Sequence, residues 1–126
     1  MGWFKKSTSS DERQSINWRV LKDMEGLDMY NDLSFETPVV FFKHSTRCSI
    51  SSMAKDRLER DWAYEKEEVI PVYLDLITYR DISNKLSELY GIDHESPQIL
   101  LVKNGKCIHT SSHSSIDPKK LSLHIG

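Results

Sequence analysis

The chain has 126 residues, with 17 Lys and Arg against 19 Asp and Glu, a net charge of −2. That length suits one compact domain, able to bury roughly two-thirds of its unfolded surface without a disulfide or metal staple. The near-balanced charge speaks against nucleic-acid binding, which calls for clustered basic residues. No apolar run approaches the ~18 residues of a membrane span, and no apolar segment follows Lys5 and Lys6 as a secretory signal would require. Two cysteines, Cys48 and Cys107, are too few for a disulfide scaffold or a self-sufficient cysteine zinc site. The expectation is a reduced, cytoplasmic domain without membrane or nucleic-acid partners.

In chain order, residues 1–15 read as a flexible lead-in, with Ser7–Ser15 lacking any apolar side chain, and residues 16–126 as the single domain. Ile16–Leu21 predicts a short strand. Met24, Leu27, Tyr30 and Leu33 predict a helix over Leu21–Leu33, weakened by Gly26. Val39–Phe42 is wholly apolar and predicts a strand buried on both faces. From Ser49 to about Lys66 the period becomes helical, with Ile50, Met53, Ala54, Leu58 and Trp62 on one face. The charged residues of this stretch read as its solvated side, and Trp62 and Tyr64 as core or rim. Val69–Ile77 predicts a second apolar strand, with Pro71 tolerated near its start. Ile82, Leu86, Leu89 and Tyr90 mark a helix with Gly91 as its cap. Gln98–Lys103, Asn104-Gly105 and Lys106–Thr110 predict a hairpin. Asp117 and Pro118 open a last helix as N-cap and first-turn residue, with Leu121 and Ile125 inward. Alternating strands and helices closed by a hairpin imply an α/β domain: a mixed central sheet with helices on both faces.

The sharpest local feature is Cys48, placed where a buried strand passes into an amphipathic helix. Free backbone N–H groups and the helix dipole favour an anion there, so the position suits a thiolate. Lys43, Arg47 and Lys55 are expected to add positive charge on the same side. The competing reading is a small buried thiol, against which Arg47 and Ser49 stand as polar neighbours.

Two stretches give these features a family context. A strand, Cys48 at a helix start, Tyr90-Gly91-Ile92, Ser96-Pro97 and then strand, Lys103-Asn104-Gly105, strand resemble a thioredoxin fold. Phe42-Lys43-His44-Ser45-Thr46-Arg47-Cys48 with Ile50-Ser51, and His94-Glu95-Ser96-Pro97-Gln98, more specifically resemble the YtxJ-type bacilliredoxins. These are thioredoxin-like monothiol proteins of the bacillithiol system in low-GC Gram-positive bacteria. The resemblance runs from about Ile16 to the C-terminus. It implies a thioredoxin fold, a cis peptide before Pro97 and catalysis by Cys48. It also implies bacillithiol as co-substrate with no tightly bound cofactor, and S-bacillithiolated proteins as partners. In one place the chain departs from the family, carrying Ser49 where a proline usually follows the cysteine and would pre-set the first helical turn.

A dithiol enzyme needs a resolving cysteine one helical turn on, and here that position is Ser51. Cys48 must therefore hold its adduct until an external thiol arrives. Thr46 and Arg47 lie on the approach to the cysteine. Arg47 is expected to favour the thiolate, Ser51 to hydrogen-bond it, and Ser96-Pro97 to present backbone to a bound disulfide. His113 falls on a loop expected to border the site, where it either assists the adduct or is a solvated histidine. Cys107, two residues beyond Gly105, is expected far from Cys48. His44, His94, His109, His113 and His124 show no zinc-ligand spacing. Two rival readings are a monothiol carrier of a [2Fe–2S] cluster, with Cys48 from two chains and two small thiols as ligands, and a redox-silent interaction module.

Overall fold

A computed structural model describes residues 16–125. Five strands, β1 (Arg19–Val20), β2 (Val39–His44), β3 (Ile70–Asp75), β4 (Gln98–Lys103) and β5 (Lys106–Ser112), form one sheet in the order β1-β3-β2-β4-β5. The pairs β1–β3 and β2–β3 are parallel, while β2–β4 and β4–β5 are antiparallel. Helices α1 (Met24–Leu33) and α3 (Arg80–Tyr90) cover one face; α2 (Ser49–Asp61) and the short C-terminal α4 (Ser122–Ile125) cover the other. This is the thioredoxin fold, with its mixed sheet and helices on both faces. The lead-in expected over residues 1–15 lies outside the described residues.

The central position of β2 explains its apolar run. Val39 and Phe41 enter the core beneath α1 and α3, and Val40 and Phe42 the core beneath α2. The same alternation continues into polar residues: Lys43 follows Phe41, His44 follows Phe42, and both are buried. The positive cluster expected around Cys48 is thereby dispersed. Lys43 points to the α3 side, and Lys55 is tied to Glu59 at 2.7 Å.

Several boundaries differ from expectation for physical reasons. The first strand shrinks to Arg19–Val20, because Trp18 turns inward to stack on Phe42 at 5.6 Å. Helix α1 starts late, at Met24, where the Asp23 carboxylate accepts the Gly26 N–H at 2.7 Å and caps the helix. Helix α2 stops at Asp61 rather than near Lys66, since Trp62 adopts extended backbone and buries its ring edge-on to Tyr64. The inward face of α2 is Ser51, Ala54 and Leu58, with Trp62 buried just beyond its end, so Ile50 and Met53, expected inside, lie exposed. The last helix opens as a 3₁₀ turn, Pro118–Leu121, with Asp117 capping Lys119 N at 3.0 Å, and becomes α only from Ser122.

Two glycines are dictated by backbone. Gly91 ends α3 at φ 65°, and Gly105 takes φ 75° after Asn104 at 54°, the pattern of a two-residue hairpin turn. That turn is anchored to the end of α1: Asn104 N–H donates to Ser34 O at 2.8 Å and Gly105 N–H to Ser34 Oγ at 2.9 Å.

Candidate functional site

The C-terminal end of β2 and the N-terminal end of β4 are neighbours, with Lys43 in register with Gln98. The segment leaving β2 toward Cys48 and the segment entering β4 at Pro97 therefore share one end of the central strands. Ser45–Cys48 forms a tight turn closed by Cys48 N–H to Ser45 O at 3.2 Å. Cys48 is the N-cap of α2, in extended backbone, half-buried, with no acidic side chain in the first helical turn. Thr46 and Arg47 are exposed before it, and Ser49 and Ile50 after it. Met53 continues the exposed side one turn on.

The Ser96–Pro97 peptide is cis, and Pro97 is buried. Its carbonyl accepts the backbone N–H of His113 at 3.1 Å, which places His113 beside this loop. His113 sits at φ 54°, and its Nε2 lies 3.7 Å from Glu95 Oε1. Arg57 of α2 donates from Nε to Ile116 O at 2.8 Å and from Nη2 to His113 O at 3.0 Å. One guanidinium thus fastens the His113 loop to the helix that begins at Cys48, a role the sequence reading missed. Gln98 steadies the other side, donating to Asp93 O at 3.0 Å and accepting from Glu95 N–H at 3.3 Å.

Ser51 lies directly under the cysteine turn and is wholly buried. Its Oγ accepts the Ser45 N–H at 3.0 Å and lies 2.6 Å from His44 Nδ1. The sequence suggests a bond from this hydroxyl to Cys48; its hydrogen bonds run instead to β2 and its turn. His44 packs between Phe42 and Tyr73, with ring centroids 5.5 and 5.6 Å away. Burial, then the Lys55 ammonium, lower its pKa, against Asp75, Glu59 and the Ser51 bond, which raise it. His44 lies within the motif that precedes Cys48, but only its alternation with Phe42 on the α2 face signals its burial.

On the opposite face, Lys43 is fully buried with no carboxylate partner among the described residues. Its Nζ donates to Ser87 Oγ at 2.7 Å and lies 3.2 Å from His94 Nδ1. Burial lowers its pKa from 10.5 to about 8. His94 is lowered as well, by burial first and then by the charges of Lys43 and Arg80.

Cys107 belongs elsewhere. It pairs with Val102, which pairs with Val39, five residues up β2 from His44 and so about 17 Å along the strand. Both cysteines are free, and burial pushes the Cys107 thiol up. Among the described residues no group of three or more His, Cys, Asp or Glu could hold a metal ion, and no helix is long and apolar enough to cross a membrane. A concavity of about 560 Å³, lined by Trp62, Tyr64, Glu65 and Pro71 among others, opens at the N-terminal end of β3, away from Cys48.

A half-buried cysteine at the N-cap position of a helix, at the end of the central strands where the cis-proline loop also lies, with serine one turn on, defines a thioredoxin-fold oxidoreductase of the monothiol class. The family model for the monothiol bacilliredoxin BrxC matches residues 19–121, and the chain belongs to that family. Solved structures agree on the fold. A thioredoxin-fold protein described as a candidate oxidoreductase superposes with a TM-score of 0.72 at 24% identity, over 84% of this chain and 91% of the other. Thioredoxin from Fasciola hepatica gives 0.66 at 20% identity, over 85% and 95%. Thioredoxin from Malassezia sympodialis gives 0.66 at 19%, over 86% and 89%.

Proposed function

We propose that this protein removes bacillithiol from S-bacillithiolated proteins by thiol–disulfide exchange at Cys48. The Cys48 thiolate attacks the bacillithiol sulfur of the mixed disulfide. The client leaves as its thiolate, and bacillithiol stays on Cys48 as a new disulfide. A second bacillithiol thiolate then attacks the bacillithiol sulfur of that adduct, yielding bacillithiol disulfide and regenerating the Cys48 thiolate. One disulfide is consumed and one formed at each step, and over the cycle the second bacillithiol is the reductant, leaving as bacillithiol disulfide.

The observation that carries this reading is Cys48 at the N-terminus of α2 with Ser51, not cysteine, one turn on. The helix N-terminus supplies positive potential to the attacking and departing sulfur, and Arg47 adds an exposed charge on the approach. Thr46 borders the entering disulfide, and Ser96 and Pro97 offer it backbone. His113, held at Pro97 by its own N–H, faces the adduct. In the absence of free thiol the protein has no internal partner with which to resolve.

The test is intact-mass analysis after mixing with a bacillithiolated peptide. Wild type is expected to gain one bacillithiol and keep it, while Cys48→Ser gains none and Cys107→Ser behaves as wild type. Release of the adduct without added thiol would overturn the single-cysteine mechanism. Visible colour and bound iron in the purified protein, with no adduct formed, would favour the cluster-carrier reading instead.

A further inference from the structure

The site holds a buried histidine that the exchange reaction does not use. His44 Nδ1 lies 2.6 Å from Ser51 Oγ, and the same oxygen already accepts the Ser45 N–H. A serine hydroxyl has one hydrogen. With Nδ1 unprotonated, that hydrogen fills the His44 bond and is turned away from Cys48. With the ring protonated, Nδ1–H becomes the donor, Oγ accepts from both His44 and Ser45, and the serine hydrogen is released. Cys48 stands three residues before Ser51 at the helix start, the spacing that places two side chains beside one another. Ser51 thus occupies the place from which a group could reach the cysteine sulfur.

We propose that His44 is a positioning residue for the release step: neutral, as the tautomer with Nδ1 unprotonated, it accepts the Ser51 hydroxyl hydrogen in a bond to Nδ1, and protonated, it frees that hydrogen to donate to Cys48 Sγ as the sulfur departs. The inference rests on the exchange reading above. It concerns the second half of that cycle, in which incoming thiolate attacks the outer sulfur and Cys48 leaves with the electron pair of the broken S–S bond. A hydrogen-bond donor at the leaving sulfur stabilises the developing thiolate.

The surroundings permit such a switch. From α2, Lys55 and Glu59 act on the ring; from β3, Asp75 and Tyr73; from the N-terminal segment, Trp18 donates to Glu59 at 2.8 Å. Burial pushes the Glu59 carboxyl up, but the hydrogen bonds from Lys55 and Trp18 and the Lys55 charge outweigh it and hold Glu59 below the usual range. Both His44 and Glu59 are thus shifted down from their ordinary values, His44 by burial first and then by the Lys55 charge.

The experiment uses the 2-mercaptoethanol adduct of Cys48, opened by excess 2-mercaptoethanol and followed by intact mass from about pH 8 to pH 5. The ionisation of the attacking thiol is common to all variants and cancels in a ratio. The wild-type rate divided by the Ser51→Ala rate is expected to rise about fivefold as pH falls, the scale of one hydrogen bond. The bend should coincide with the His44 ring titration followed by NMR. His44→Asn, which keeps a hydrogen-bonding group near Nδ1 but does not titrate, should give a flat ratio to Ser51→Ala. A flat wild-type ratio, a bend away from the His44 midpoint, or a slope retained in His44→Asn each overturns the proposal. The mercaptoethanol adduct needs no preference for bacillithiol, so failure of the de-bacillithiolation reading leaves this test intact.

Discussion

Lys43 carries a charge that no carboxylate among the described residues pairs with. Its ammonium rests on Ser87 and His94 in a fully buried place, and burial brings its pKa from 10.5 to about 8. A group that holds its proton less tightly folded than unfolded makes stability rise with pH across the window between those values. Below about pH 8 both states carry the proton and the full penalty is present; above about 10.5 neither does. Wild type is therefore expected to gain on the order of 3 kcal/mol relative to Lys43→Met between pH 7.5 and 10.5. Urea midpoints of the two proteins at matched pH values measure it, since tyrosine and cysteine ionisation is common to both. A pH-independent difference would mean that the Lys43 ammonium keeps its ordinary affinity for the proton. In the sequence this lysine read as one of three charges near the cysteine. Only the two-residue period of β2, extended past its apolar run, would have turned it to the other face.

At the scale of elements, α2 and the loop after β5 act as one unit. Arg57 joins them through the carbonyls of His113 and Ile116, and His113 in turn bonds Pro97. Arg57→Met removes both side-chain bonds while keeping the aliphatic stem. The expected result is a loss of about 1–2 kcal/mol in stability and a several-fold slower exchange with a bacillithiolated peptide. Alkylation of Cys48 by iodoacetamide, which needs no cis-proline loop, should keep its wild-type rate; slowing of both alike would assign Arg57 to the helix rather than the loop. The type and order of the elements were legible because each depends on local pattern: the apolar β2, the Gly91 cap, the Asn104-Gly105 turn. The inward face of α2 was not. Counting apolar residues selects Ile50 and Met53, whereas the helix buries Ser51, whose hydroxyl finds partners that only the folded strand supplies. Cys48 and Ser51 stood out from spacing alone; His44 and Arg57 did not, because their partners lie across the tertiary structure.

For the molecule as a whole, the two cysteines report on topology. Cys48 precedes α2 at the end where β2 stops, and Cys107 lies beside Val102 near the hairpin turn, toward the opposite end of the strands. A disulfide needs Cα atoms within about 7 Å, far less than the strand length between them. Diamide-treated wild type is accordingly expected to show no loss of two mass units as a folded monomer. Ser51→Cys changes that outcome, because position 51 lies one turn from Cys48, and a thiol there resolves the adduct internally. The variant should lose the two mass units on oxidation and discharge a bacillithiol adduct without added thiol. It should also be about 1 kcal/mol less stable when reduced, since sulfur is a poorer acceptor for the buried Ser45 N–H and a poorer partner for His44. A Cys48–Cys107 bond in folded wild type would contradict the strand order itself. Failure of Ser51→Cys to close while it still folds would instead move position 51 out of reach of Cys48, and with it the hydroxyl on which the release step is proposed to depend.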